Sequence, residues 1–197
     1  MQNFITSLSR KLLEQAFEDW AMMVGLTIRF RGQYGFWIEN SEGLRPVLDE
    51  PSLIMETRVE GESEGPLYWV FPQAFIVRVS GPMVMLSDDI MAQKEVEGLD
   101  ELDLEAFQEM ANLMCGAANR VFQGLGKTLR VSQDVDHLKV TYNKAGTADD
   151  CIPAFPEGPL AFVKMIVDVD GRPFRLLQAL PMSLATEITE VFVPQES

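Results

Sequence analysis

The sequence predicts an α+β fold in which long helices pack on one side of an antiparallel sheet. Apolar residues recur at helical spacing over two long stretches, near residues 4–24 and 103–123. Short β-branched and aromatic runs lie between and after those stretches, and Asp170-Gly171 joins two apolar runs in the way a hairpin turn does. Helices and strands in this order suit a two-layer α+β domain.

Each element follows from local pattern. Ile5, Leu8, Leu12, Ala16, Trp20 and Met23 make one helical face, which Gly25 interrupts. Thr27 to Phe30 and Tyr34 to Ile38 read as two strands. Residues 40–65, rich in Glu, Gly and Pro, read as a loop around a strand from Ser52 to Val59, and Leu67 to Phe71 is a further strand. Pro72 to Leu86 fits helix or strand, with Gly81-Pro82 as a break. Asp103 is placed as the N-cap of a helix through Gln123 that Gly124 and Gly126 end. Thr128 to Val131, Leu138 to Tyr142, Leu160 to Val167 and Pro173 to Leu177 read as strands. Pro181 to Glu190 reads as a last helix before a polar tail at Gln195 to Ser197.

The chain of 197 residues has 47% hydrophobic and 23% charged residues, a globular balance that suits one domain, 1–197, with its core over about 5–190. With 30 acidic against 16 basic side chains, its formal charge of -14 repels phosphate backbones and anionic bilayers, so neither nucleic acid nor membrane is expected as a partner. No run is apolar for the roughly 18 residues a spanning helix needs, and Met1 to Lys11 lacks the order of a secretory signal; a cytoplasmic protein is expected. Cys115 and Cys151 have no metal-ligand spacing and read as reduced thiols.

A weak internal repeat is visible. Gly25-Leu-Thr27-Ile-Arg29-Phe30 follows the first long helix as Gly126-Lys-Thr128-Leu-Arg130-Val131 follows the second, at an offset of 126 − 25 = 101. Such self-similarity suggests two halves related by a pseudo-twofold.

On a helical wheel of about 100° per residue, Leu104, Phe107, Ala111, Met114, Cys115, Ala118, Phe122 and Leu125 form an apolar stripe, widened by Met110, Leu113, Ala117 and Val121. Glu105, Glu109, Asn112, Gly116, Asn119 and Gln123 share the narrow polar strip that remains, and the i, i+3 spacing sets Glu109 beside Asn112. Gly116 keeps the surface one turn beyond Asn112 free of bulk, at about 1 kcal/mol of helix propensity. A solvated helix face would give the same spacing.

The segment LDLEAFQEMANLMCGAANRVFQGL, Leu102 to Leu125, resembles the signature helix of the CheC/CheX/FliY phosphatases, in which Glu-x-x-Asn is followed four residues later by glycine; Glu109, Asn112 and Gly116 match. The resemblance implies a CheC/CheX-like pseudo-twofold domain whose substrate is a phosphorylated CheY-like receiver. Asn112 would orient water in line with the aspartyl phosphate, and Glu109 would anchor the receiver through a lysine. Glu105, Gly116 and Asn119 are the further residues the partner would meet. The Mg²⁺ for the reaction would sit on the receiver, so the chain is expected to need no cofactor or metal of its own. Glu105 stands where the family often has Asp or Ser, and Val135 where the CheC pattern has proline. At the 101-residue offset Glu109 and Asn112 correspond to Leu8 and Lys11, so one site per chain is expected, which points to the CheX-like branch; a homodimer is compatible with this reading. The alternative is a module of the same fold that binds a response regulator or the flagellar switch without catalysis, as FliM does.

Other constellations carry less. His137 is the only histidine, so a thiol-base pair would need an accident of folding. Asp168-Val-Asp170-Gly171 resembles the start of a calcium loop but has Ala179 where a bidentate Glu is required. Asp88-Asp89 and Asp149-Asp150 read as turn or cap residues, and no glycine-rich phosphate loop is present.

Overall fold

The computed structural model describes residues 1–132 and 139–192, with the backbone alone at Ser41 and Glu42. The Val135 and His137 positions, the start of the strand expected from Leu138 and the polar tail fall outside these residues. In chain order the elements are α1 (Gln2–Val24), β1 (Ile28–Ile38), β2 (Ser52–Glu60), β3 (Gly65–Pro72), α2 (Gln73–Ser80), α3 (Asp88–Glu97), α4 (Glu101–Gly124), β4 (Arg130–Val131), β5 (Lys139–Asn143), α5 (Ala148–Cys151), β6 (Leu160–Val169), β7 (Arg172–Pro181) and α6 (Met182–Phe192).

All seven strands join one antiparallel sheet in the order β1-β6-β7-β3-β2-β4, with β5 also on β2. Successive side chains of a strand point to opposite faces, and the two apolar clusters separate accordingly. Leu53, Met55 and Val59 of β2, Trp69 and Phe71 of β3, and Val163 and Met165 of β6 pack against α1, α2, α4 and α6. Ile54, Tyr68, Val70 and Phe162 point the other way, beneath Leu44, Leu48, Cys151 and Phe155. Thus the long helices lie on one side, and the opposite cover comes from the short α5 with the turn after it and from the stretch read as loop: Ser41–Leu44 is a 3-10 turn, and Asp49 and Glu50 both accept from Arg175 of β7.

The two halves exchange strands. β1, from the first half, pairs with β6 of the second, while β4 and β5, from the second half, pair with β2 of the first. The β2-β3 hairpin ends at Pro72 and leads into α2; the β6-β7 hairpin ends at Pro181 and leads into α6, an offset of 181 − 72 = 109. That offset maps Trp69 on Gln178, which are paired partners where β3 meets β7, so the pseudo-axis passes through this pair. Similarly, both long helices are followed by a glycine at φ 71, Gly25 and Gly126, a left-handed conformation that other residues adopt only with strain. Asp19 of α1 is ion-paired with Arg120 of α4, residues 101 apart and therefore equivalent in the two halves.

Several boundaries differ from expectation. β1 is one strand, because the irregularity between Phe30 and Gly32 bends it without ending its pairing to β6. Pro72 to Leu86 resolves into the end of β3, α2 and a 3-10 turn at Gly81–Val84. Asp88 and Asp89 open α3, a helix not foreseen, behind the Ser87 cap whose hydroxyl accepts from Ile90 N. Asp103 is not the N-cap of α4: Asp100 is, and Asp103 is the third helical residue of a reciprocal capping box. In the β6-β7 turn, Asp168 accepts from Gly171 N (2.7 Å) and Arg31 (2.9 Å), and Asp170 from Thr27 N (2.9 Å). Its two carboxylates are thereby committed to closing the hairpin.

Candidate functional site

The site helix is fixed first at its N-terminus. Asp100 accepts from Asp103 N (3.1 Å) and Asp103 from Asp100 N (2.9 Å), while Lys94 of α3 reaches both carboxylates at 2.6 Å. Behind this corner the Gln73 amide donates to the Lys94 and Glu95 carbonyls, at 3.0 Å each, and accepts from the Tyr142 hydroxyl at 2.5 Å; Leu99 N donates to that hydroxyl at 3.0 Å. α2, α3, β5 and the start of α4 therefore share one hydrogen-bonded junction.

Farther along, Phe107, Met110, Ala111, Met114, Cys115, Ala117, Ala118 and Phe122 are buried, and the Phe107 ring meets Phe71 edge-on with centroids 5.2 Å apart. The Trp20 indole N–H donates to the Met110 carbonyl at 3.1 Å. This contact ties the last turn of α1 to the α4 turn between Glu109 and Asn112. Trp20→Phe removes that donor but keeps most of the packing, so a loss of about 1 kcal/mol is expected in urea melts.

The polar strip is largely where the wheel puts it. Glu105, Glu109 and Gln123 are exposed, and Asn112 and Gly116 are half-buried at the solvent edge. Asn119, expected to meet the partner, has its amide donating to Val131 O (3.0 Å) and accepting from Val131 N (2.6 Å), which clamps β4 to α4. Leu113 and Leu125, placed in the apolar surface by their spacing, are 40% and 39% exposed. At the pseudo-equivalent positions in α1, Leu8 is in the core and Lys11 is exposed, so no carboxylate-amide pair is repeated there.

The pair sets an exposed carboxylate beside a half-buried amide, with Gly116 one turn farther on. A carboxylate accepts from a cation, and an amide both donates and accepts. Cys115, the nearest thiol in sequence, is sealed beneath the helix, and burial pushes it up to about 11. Burial also raises the Cys151 thiol. Neither thiol should react with a disulfide reagent at pH 8 in the native protein, and both should react after denaturation; absorbance of the released thiolate checks this. Among the described residues, no group of three or more His, Cys, Asp and Glu could hold a metal ion, and no helix is long and apolar enough to cross a membrane.

No family model matches the chain, and no curated protein matches it in sequence. Solved structures do match its fold. FliY from Thermotoga maritima overlays with a TM-score of 0.77 at 19% identity, over 99% of this chain and 96% of that one. The chemotaxis protein CheX from Desulfovibrio desulfuricans gives 0.52 at 12% identity, over 87% and 97%. A chain of the FliG-FliM complex from H. pylori gives 0.59 at 9% identity, over 93% and 94%. The chain thus has the α+β fold that FliY and CheX share. The overlay is better on FliY than on CheX, so fold likeness does not single out the CheX-like branch that the single site suggested.

Proposed function

We propose that this chain is a cytoplasmic protein of the CheC/CheX/FliY type that hydrolyses the aspartyl phosphate of a CheY-like response regulator in chemotaxis or a related two-component pathway. The observation that carries this reading is the Glu109-Asn112 pair, side by side at the solvent edge of a helix otherwise packed into the core, in the fold of FliY and CheX.

In this reading Asn112 enters the receiver's active site and holds a water in line with phosphorus. The water oxygen forms the new P–O bond as the bond to the aspartyl oxygen breaks, which yields inorganic phosphate and the free carboxylate. Glu109 accepts from a receiver lysine and sets the approach. Magnesium belongs to the receiver and neutralises charge on the phosphoryl oxygens.

Decay of a phosphorylated receiver from the same cell is the test. Wild-type protein should accelerate it, and Asn112→Ala should lower that acceleration on the order of a hundredfold, as loss of one positioned transition-state contact does. Equal rates with the two proteins would refute catalysis. Glu109→Ala should weaken both engagement and turnover.

A second reading is favoured by the overlay on a chain of the FliG-FliM complex, since that fold also assembles with flagellar switch components. An adaptor of this kind would bind the receiver or a switch protein and leave the rate of phosphate loss unchanged.

A further inference from the structure

Exposed leucines are ordinary when scattered singly over a surface, but the two on α4 are not scattered. Leu102 and Leu113 are 51% and 40% exposed and stand 11 residues apart, which returns them to within about 20° of the same line on the helix. Glu109 lies between them along the helix, within about 40° of that line, and Glu105 and Asn112 follow on the same side of it. A third exposed apolar side chain, Met23 at 45%, stands one turn beyond Trp20, whose indole bonds Met110 O next to Glu109. Hence the carboxylates and the amide have an apolar frame: Leu102 before them, Leu113 after them, and Met23 at the side where α1 meets α4.

Charge defines what fits the frame. Glu101, Glu105 and Glu109 are exposed along this strip, whereas its basic residue, Arg120, is already paired with Asp19. The visitor must therefore bring a cation to the middle of the strip and apolar side chains to its ends. From Leu102 to Leu113 the helix rises about 16 Å.

We propose that Leu102, Leu113 and Met23 form the docking rim for the receiver, a folded domain whose phosphorylation-site face carries a basic side chain ringed by apolar residues. The rim supplies affinity and the Glu109-Asn112 pair supplies chemistry; this division rests on the phosphatase reading above. Its signature is a split between binding and turnover.

The probe is each CheY-like receiver of the same cell, loaded with Mg²⁺ and beryllofluoride to hold its phosphorylated conformation, titrated by calorimetry into the full chain. Leu113→Glu is expected to raise Kd at least tenfold, and phosphate release at saturating receiver should stay near the wild-type rate. Leu102→Glu, in the first turn where a carboxylate suits the helix dipole, gives the same split without altering the Leu113 position. Glu105→Lys should weaken binding too, and wild-type binding should fall as salt rises. Asn112→Ala is the opposite case, with Kd near wild type and turnover lost. Unchanged Kd in both leucine variants, with Asn112→Ala inactive, would overturn the rim and leave the phosphatase reading standing. If the wild-type chain binds none of the receivers, that reading fails and the rim falls with it.

Discussion

Phe75→Ala is expected to lower the free energy of unfolding by roughly 4 kcal/mol, the range for removing a fully buried aromatic ring. Phe75 has no exposed surface, and its ring lies 5.7 Å from Phe71, 5.6 Å from Phe174, 6.2 Å from Phe17 and 6.3 Å from Trp20. Those partners come from α1, β3 and β7, so one truncation opens a void where α1 and α2 meet strands from both halves of the chain. Interiors are too closely packed to refill such a space without strain. In a domain of this size the loss should move Tm down by about 10 °C. A urea midpoint that falls with an unchanged slope would show the effect to be stability alone; a midpoint shift under about 1 kcal/mol would show the site can collapse.

The second large effect is expected at the α3-α4 junction. Asp103→Ala removes one carboxylate from the mostly buried Lys94 and leaves the Asp100 backbone N–H without its acceptor, at a combined cost of about 2–3 kcal/mol. The pH dependence follows from its neighbours. The Lys94 ammonium beside Asp100 holds that carboxyl below the usual carboxylate range, helped by the Asp103 N–H. A carboxyl lowered on folding stabilises the native state above its unfolded value of about 3.9, and the increment is lost as pH falls through the lower folded value. For Lys94, burial acts to lower its affinity for a proton, but hydrogen bonds to Asp100 and Asp103 outweigh it, and the net direction is up. That increment is fully present below about 10.4 and is lost as pH rises through the higher folded value. Wild-type stability should therefore bend at both extremes, and the Asp103→Ala curve should be flatter at both. Melts across pH 2–12 compare them. A variant curve parallel to wild type would place the coupling elsewhere.

Much of this architecture is legible in local pattern. α1, β2, β3, α6 and the Asp170-Gly171 hairpin all stand within a few residues of their expected limits: one-sided burial writes a helical period into α1 and α6, β2 and β3 are apolar runs buried on both faces, and the hairpin closes on a turn that few residues can make. The missed α3 shows the converse: Met91 is its buried residue, so it carries no stripe to read. Gly32 and Gly35 suggest a break in β1 that the pairing with β6 overrides. The cover formed by residues 41–51 was hidden for a related reason, since Leu44 and Leu48 are buried by contacts far away in sequence. At the site, spacing alone places Glu109 and Asn112 together. What spacing does not carry is competition for the same polar atoms: Asn119 looks like another member of the strip until β4 arrives to take both ends of its amide. Leu113 errs the other way, as the wheel assigns it to the interior and it is 40% exposed.

Because the first strand of each half completes the hairpin of the other, neither half holds the edges of its own sheet. A fragment ending near Gly98 would lose β4 and β5, which pair with the side of β2 away from β3, and the complementary fragment would lose β1. Folding must await the union of distant segments, which makes it slow for the chain's length and cooperative when it comes. The two fragments expressed apart should stay unfolded, and mixed together they should recover one transition and not two.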